Sequence, residues 1–263
     1  MLIVLPPSQS KASPPPGLNL DLEALAFPGL NPVRKRILTA LVRLCRADKE
    51  AAMSALGLGA RQVGEVEANA RVRTAPSAPA IEIYTGVLYE ALDVGTLTAP
   101  QRRRLDAMVA ISSALFGLVR PLDRIPAYRL SAELQIPGVP SLAQAWRPVI
   151  SPLLEEGSGL VWDLRSAAYA GLGPAPASSR TVTTRILLER GGKRSVVSHH
   201  NKATKGRLVR GLACATGKAR TPDDLADSLT ALGYRCELHA PGHRTGKGPG
   251  NGPTKLDVIV TEV

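Results

Sequence analysis

Apolar positions along the 263-residue chain come in short, separated groups that switch between runs, alternation and helical spacing. Leu2 to Leu5 is a continuous apolar run closed by Pro6 and Pro7, the pattern of a buried strand entering a loop. That loop, SQSKASPPPG, is polar and proline-rich. Asn31 and Pro32 then open an amphipathic helix, because asparagine is a favoured N-cap and proline suits the first turn. Ile37, Leu38, Leu41, Val42 and Cys45 share its inner face, with Arg34, Lys35, Arg36, Arg43 and Arg46 outside it. Asp48 caps a second helix ending near Leu56, and a third spans Ala60 to about Ala70.

The segment from Arg71 to Pro79 reads as an exposed loop. IEIYTG, residues 81 to 86, alternates as a strand does and leads into a short helix with Val87, Leu88 and Leu92 inward. Pro100 starts a helix rich in arginine that leads to the longest apolar stretch, Ala107 to Val119, while FGLVRPLDRIPAYRLS, dense in arginine and proline, reads as irregular. Ser141 caps a helix carrying Leu142, Ala145, Trp146 and Val149, and GLVWDL, residues 159 to 164, is a buried strand. TVTTRILLE and RSVVSHH form an antiparallel pair turning at Gly191-Gly192. Helices begin at Asn201 and Thr221, and strands run from Tyr234 to Leu238 and from Leu256 to Val260, separated by a flexible glycine-rich loop, 240 to 255. This alternation predicts an α/β chain, residues 1 to 263 forming a single domain whose mixed β-sheet is flanked by helices.

The apolar stretch is shorter than the roughly 20 residues a membrane helix needs, so no membrane span is predicted. The amino terminus lacks the cationic region and cleavage site of a signal peptide. Cys45, Cys214 and Cys236, three widely spaced cysteines, suit buried thiols in a reducing compartment. A cytoplasmic protein is the expectation.

The formal charge is +11, and its distribution sharpens the picture. Between Arg180 and Arg220 there are eleven basic residues against the single acid Glu189. On the helix from Asn201, Lys202, Arg207 and Arg210 share one arc at about 100° per residue, with Leu208 and Leu212 opposite and Lys205 on the border. Such a field attracts phosphate, although a solvated face without a partner has the same composition. His199 and His200 lie just ahead of this helix. The segment ALGLGARQVGEVEAN, residues 55 to 69, has the form of a helix-hairpin-helix. Gly57 and Gly59 would let backbone N–H groups approach a phosphate, and Arg61 adds charge. An ordinary helix turn uses glycine in the same way.

Cys236, His239 and His243 have spacings that superficially suit zinc but fall short of four ligands, so no metal site and no cofactor is expected. GHRTGKG fails the phosphate-loop pattern, and no nucleophile elbow or dinucleotide fingerprint occurs. Polar side chains nevertheless gather at predicted strand ends: Ser8 and Lys11, then Tyr84 and Thr85, then Arg120, Asp123, Tyr128 and Arg129. In an open α/β sheet such edges form ligand clefts. An ion pair between Arg120 and Asp123 that ties down a loop is the structural alternative.

Taken in order, LIVLPPSQSKAS, IYTGVLYEAL, ISSALFGLVRPLDRIPAYRLS, SLAQAWRPVI, VWDLRSAAY and SHHNKATKGRLVRGLA resemble the YaaA family of peroxide-stress proteins. The resemblance implies an α/β fold with a helix-hairpin-helix element and a basic cleft, in a cytoplasmic DNA-binding protein that limits oxidative damage. Lys11, Tyr84, Thr85, Arg120, Asp123, Tyr128, Arg129, Lys202, Lys205 and Arg207 fall on its motifs. Two expectations follow. The first is a double-stranded DNA binder gripping phosphates with Gly57, Gly59, Arg61, Lys202, Lys205, Arg207 and Arg210. The second is an enzyme acting on a small anionic ligand where Lys11, Tyr84, Arg120 and Asp123 meet, with Tyr128 and Arg129 close by.

Overall fold

The computed structural model describes residues 1–196, 200–240 and 252–261. In chain order its elements are β1 (Leu2–Leu5), α1 (Asn31–Ala47), α2 (Lys49–Ala55), α3 (Val63–Ala70), β2 (Ala78–Pro79), α4 (Ala80–Ile83), α5 (Val87–Leu92), α6 (Ala99–Met108), β3 (Val109–Ser113), β4 (Gly117–Val119), β5 (Arg124–Ile125) and α7 (Leu142–Glu155). There follow β6 (Val161–Asp163), α8 (Ala167–Ala170), β7 (Thr181–Arg190), β8 (Lys193–Val196), α9 (His200–Cys214), α10 (Pro222–Ala231), β9 (Arg235–His239) and β10 (Thr254–Val260).

One mixed sheet organises these elements, in the order β4-β3-β1-β6-β7-β10-β9. The five inner strands β3, β1, β6, β7 and β10 are parallel to their neighbours, and the edge strands β4 and β9 run antiparallel. Leu187 and Leu188 pair with β10 on one side and β8 on the other, so β8 extends the side of β7 that β6 covers at its start. The chain leaves β1 for β3 on one flank and returns to β6 on the other. The carboxyl ends of β1, β3 and β6 therefore enclose a topological switch point, where open α/β sheets form ligand crevices.

The apolar run at Leu2–Leu5, the strand at 161–163, the hairpin at Gly191-Gly192 and the last two strands stand where their patterns place them. Both hairpin glycines have positive φ, as a two-residue turn of this kind requires. Three segments add to or differ from the expectation. Val109–Ser113, in the apolar stretch to which the pattern assigns no element, is a sheet strand, and FGLVRPLDRIPAYRLS contributes β4 and β5 rather than being wholly irregular. Residues 80–83 form one helical turn instead of a strand, because Ala80 and Ile81 donate their N–H groups to the carbonyls of Asp123 (2.8 Å) and Pro121 (3.1 Å) rather than to a ladder.

Close packing fixes the sheet edges. Gly117 has φ +75°, and a Cβ there would lie 2.7 Å from the Trp146 ring. Arg34 is fully buried rather than on the outer face of α1. It donates to the carbonyls of Phe116 (2.9 Å), Leu118 (2.7 Å) and Ala26 (2.8 Å) and to Asn31 Oδ1 (2.9 Å), covering the open edge of β4. Of the three thiols only Cys45 is buried, while Cys214 is exposed. No helix among the described residues is long and apolar enough to cross a membrane.

Candidate functional site

The chain leaving β1 is pinned across the carboxyl end of the sheet by several short-range contacts. Tyr89 donates its hydroxyl to the Pro6 carbonyl (2.7 Å), Ala12 N donates to Ile83 O (2.8 Å), and Thr85 N donates to Ser8 Oγ (3.1 Å). Lys11 and Tyr84 pair as an isolated antiparallel bridge. The Lys11 ammonium donates to the carbonyls of Ser8 (3.1 Å) and Gln9 (3.3 Å). It also lies 4.2 Å from the centroid of the Tyr128 ring and 5.4 Å from that of Tyr84. Aromatic ring faces attract a cation in that position.

Behind the amine runs a chain of hydroxyls. Tyr84 and Tyr128 share a hydrogen bond (3.0 Å), Tyr128 and Ser113 share another (2.7 Å), and Ser113 Oγ accepts from Phe116 N (2.9 Å). Tyr84 stacks on Tyr89, and Phe116 meets Tyr128 edge to face. Burial raises the Tyr84, Tyr89, Tyr128 and Tyr169 phenols above their ordinary range, so all four stay protonated near neutral pH. For Lys11 burial acts the other way. Together with the positive charge of Arg129, and only partly offset by Glu65, it brings the amine down to about 7.

Arg129 is held through its backbone by the buried Asn69, which accepts from Arg129 N (2.9 Å) and donates to Arg129 O (2.8 Å). Its guanidinium reaches Gln9 Oε1 at 3.4 Å, while its buried Nε has no hydrogen-bond partner among the described residues. A separate hollow of about 340 Å³ is walled by Ser13, Pro14, Ala68, Arg71, Thr74 and Ala127, and Lys11, Tyr84, Tyr128 and Arg129 do not line it. Ser13 follows Lys11 by two residues, and Ala127 precedes Tyr128.

Arg120 and Asp123 do not join this group. Arg120 donates to the Val109 carbonyl (3.0 Å), at the start of β3, whereas Ser113 ends that strand. Four residues of strand, about 13 Å, separate the two positions. Asp123 accepts from Ala26 N (3.1 Å) and Arg120 N (2.8 Å) and faces the buried Arg34. The expected convergence of four side chains is thus corrected: Lys11 and Tyr84 meet, together with Tyr128 and Arg129, and Arg120 and Asp123 brace the loop after β4. Its antiparallel return carries that loop back to the far end of β3.

The cations of the 180–220 segment are also partly spent within the molecule. Arg180 binds the carbonyls of Leu154, Glu155 and Gly159, and Arg185 forms a two-pronged pair with Asp257. Arg194 bridges Glu189 and Glu237. Arg210 is tied to Leu92 O, Asp93 O and Thr96 Oγ1. Lys205 is largely buried and donates to Leu164 O (3.0 Å), beside the buried Asp163–Arg165 pair at the end of β6. Lys202 and Arg207 are exposed on α9. His199 lies outside the described residues, as does His243.

Between α2 and α3 the chain turns at Gly57, which has φ +60°. The amides after the first helix are internally engaged: Gly57 N with Ser54 O, Leu58 N with Met53 O, and Gly59 N with Gln62 Oε1. Arg61 is exposed. Alongside, α1 carries an exposed row that counting charge along the sequence passes over. Arg36, Arg43 and Arg46 follow one another at helical spacing, and Arg73 joins them by donating to Thr39 Oγ1 (2.5 Å). None of these four arginines forms an ion pair among the described residues.

Ser113, Tyr89 and Tyr169 stand outside the strand-end pattern that marks the other site residues. A signal was present: in a chain with only 3% aromatic residues, four of the five tyrosines are Tyr84, Tyr89, Tyr128 and Tyr169, the set whose phenols burial raises here.

A profile of the family described as peroxide stress protein YaaA matches residues 1–239. A UPF0246 protein of Streptomyces coelicolor is 45% identical over the whole of both chains. One from Corynebacterium efficiens is 41% identical over 91% of this chain and 96% of its own. One from Neisseria meningitidis serogroup C is 32% identical over 50% of this chain and 54% of its own.

Proposed function

Because the chain belongs to the peroxide stress protein YaaA family, we propose that it acts in the cytoplasmic peroxide stress response by binding duplex DNA through its phosphates, without reading base sequence. The observation that carries this reading is the exposed arginine row Arg36, Arg43, Arg46 and Arg73 beside the α2–α3 turn. Arginine presents several N–H donors in a fixed fork, so Arg46, which gives its Nε–H to Ala70 O, and Arg73 keep donors for phosphate oxygens. Phosphate contacts position a duplex and carry no sequence information.

In this reading the α2–α3 turn acts as the helix-hairpin-helix, contributing the charge of Arg61 and its shape, since the Gly57 and Gly59 amides are engaged internally. Lys202 and Arg207 form a second contact set on α9, with Lys205 and Arg210 serving to hold that helix in place. The test is duplex binding over a salt series, set out at the close of the Discussion.

A second reading is favoured by the Lys11 group. An amine held near pKa 7 next to an under-bonded guanidinium suits an enzyme acting on a small anionic ligand. Here Arg129 takes the anion and Lys11 holds or moves the proton. Arg120 and Asp123 have no part in it. Calorimetric titration with inorganic phosphate tests this reading, which requires binding that Arg129→Met abolishes.

A further inference from the structure

Three features meet at Lys11 that neither proton transfer nor charge alone demands. The amine faces two tyrosine rings, the rings are locked by the hydroxyl chain that ends at Ser113, and Arg129 is oriented by Asn69 yet leaves its buried Nε unbonded. We propose that Lys11 is a covalent site whose amine condenses with an aldehyde carrying a phosphate a few atoms away, while Arg129 holds the phosphate. This deepens the second reading above and rests on it.

The chemistry balances without any further reactant. The nitrogen lone pair attacks the carbonyl carbon, and a proton passes from nitrogen to oxygen to give a carbinolamine. The carbinolamine hydroxyl takes up the proton that the ammonium gave to solvent on becoming the free amine, the C–O bond breaks, water leaves, and a protonated imine remains. That cation occupies the place of the ammonium over the Tyr128 and Tyr84 rings, where ring faces stabilise positive charge. A lysine that is desolvated and adjacent to another cation is an activated amine nucleophile, and burial with Arg129 provides both conditions here. Glu65 is the acid whose charge opposes them. The Tyr84 and Tyr128 hydroxyls remain protonated and keep the rings fixed. Arg129 offers the paired donors that a phosphate accepts.

Such an aldehyde arises as a free sugar phosphate or as the opened deoxyribose of an abasic site in DNA. The full chain is incubated with glyceraldehyde 3-phosphate and sodium cyanoborohydride, and the modified residue is mapped by mass spectrometry. The expected result is one dominant adduct, on Lys11, absent from Lys11→Arg. Arg129→Met should lower trapping of the phosphate aldehyde about tenfold more than trapping of unphosphorylated glyceraldehyde, the loss of one charge-assisted contact, because the weaker activation of Lys11 is common to both. Adducts spread evenly over exposed lysines such as Lys202 and Lys218, with Lys11 no more reactive than they are, would overturn the proposal. In a parallel arm, a duplex with one abasic site that becomes cross-linked at Lys11 identifies DNA as the source. Trapping confined to the sugar phosphate identifies a free metabolite. Inorganic phosphate titration separates this proposal from the reading beneath it: phosphate binding that depends on Arg129, without any Lys11 adduct, rejects the imine alone. Absence of both rejects the two together. Circular dichroism confirms that each variant is folded.

Discussion

Replacing Asp123 by alanine separates a bracing residue from a site residue. The change removes the acceptor of two backbone amides, Ala26 N and Arg120 N, and the negative charge facing Arg34, which is fully buried. An amide left without its partner costs about 1–3 kcal/mol, and two amides lose theirs here. Arg34 keeps its three carbonyl contacts and Asn31, so the charge is only partly stranded. The expected loss is about 3–5 kcal/mol, read from the urea midpoint with the slope unchanged. Asp123→Asn, which keeps one acceptor oxygen, should lose about 1–2 kcal/mol. Both variants should retain Lys11 trapping at native extent under conditions where they are folded. A loss below about 1 kcal/mol for Asp123→Ala, combined with abolished trapping, would refute the placement of Asp123 away from the site.

Three further outcomes follow from the same contacts. The Lys11 amine is lowered in the fold to about 7 from 10.5, so between those values the unfolded chain binds more protons. The cost of burying the charge is fully present below pH 7 and is relieved as pH rises towards 10.5; Lys11→Met should therefore flatten the rise of stability over that window, and an unchanged pH profile would contradict the shift. Gly117→Ala should cost about 2–4 kcal/mol in urea unfolding, because it combines positive φ with a clash against Trp146. Arg34→Met should unfold at markedly lower urea than Arg36→Met, which should fall within about 0.5 kcal/mol of the parent, since only Arg34 satisfies the carbonyls of the edge strand.

Much of the sheet could be read from the sequence because its signals are local: prolines closing β1, two glycines turning the β7–β8 hairpin, caps at Asp48, Ser141 and Thr221. Val109–Ser113 escaped because an inner parallel strand is buried on both faces and shows no alternation. The turn at 80–83 misled for the opposite reason. Ile81 and Ile83 alternate as in a strand, but their segment is captured by carbonyls forty residues away. The concentrated charge of 180–220 is real in sequence and diluted in space. Asp93, Glu237 and Asp257, distant along the chain, fold against Arg210, Arg194 and Arg185. Arg34 was placed outside by helical spacing, yet the open carbonyls of β4 draw it in. Within the site, the motifs brought Lys11, Tyr84, Tyr128 and Arg129 into view, but strand direction decides which end of β3 each residue reaches, and that direction is set by a pairing the sequence does not display.

The central claim, that the arginine row on α1 grips duplex phosphate, is tested most directly by the salt dependence of binding. Affinity for a duplex of arbitrary sequence is measured across a salt series for the parent chain, for the variant with Arg36, Arg43, Arg46 and Arg73 changed to Gln, and for Lys202→Gln with Arg207→Gln. Each phosphate neutralised adds about −0.9 to the slope of log affinity against log salt. The account predicts that the fourfold variant loses about 3–4 from the magnitude of that slope, and that the α9 pair loses less. A fourfold variant that binds with the parent slope, or a parent chain whose affinity is flat with salt, would contradict it.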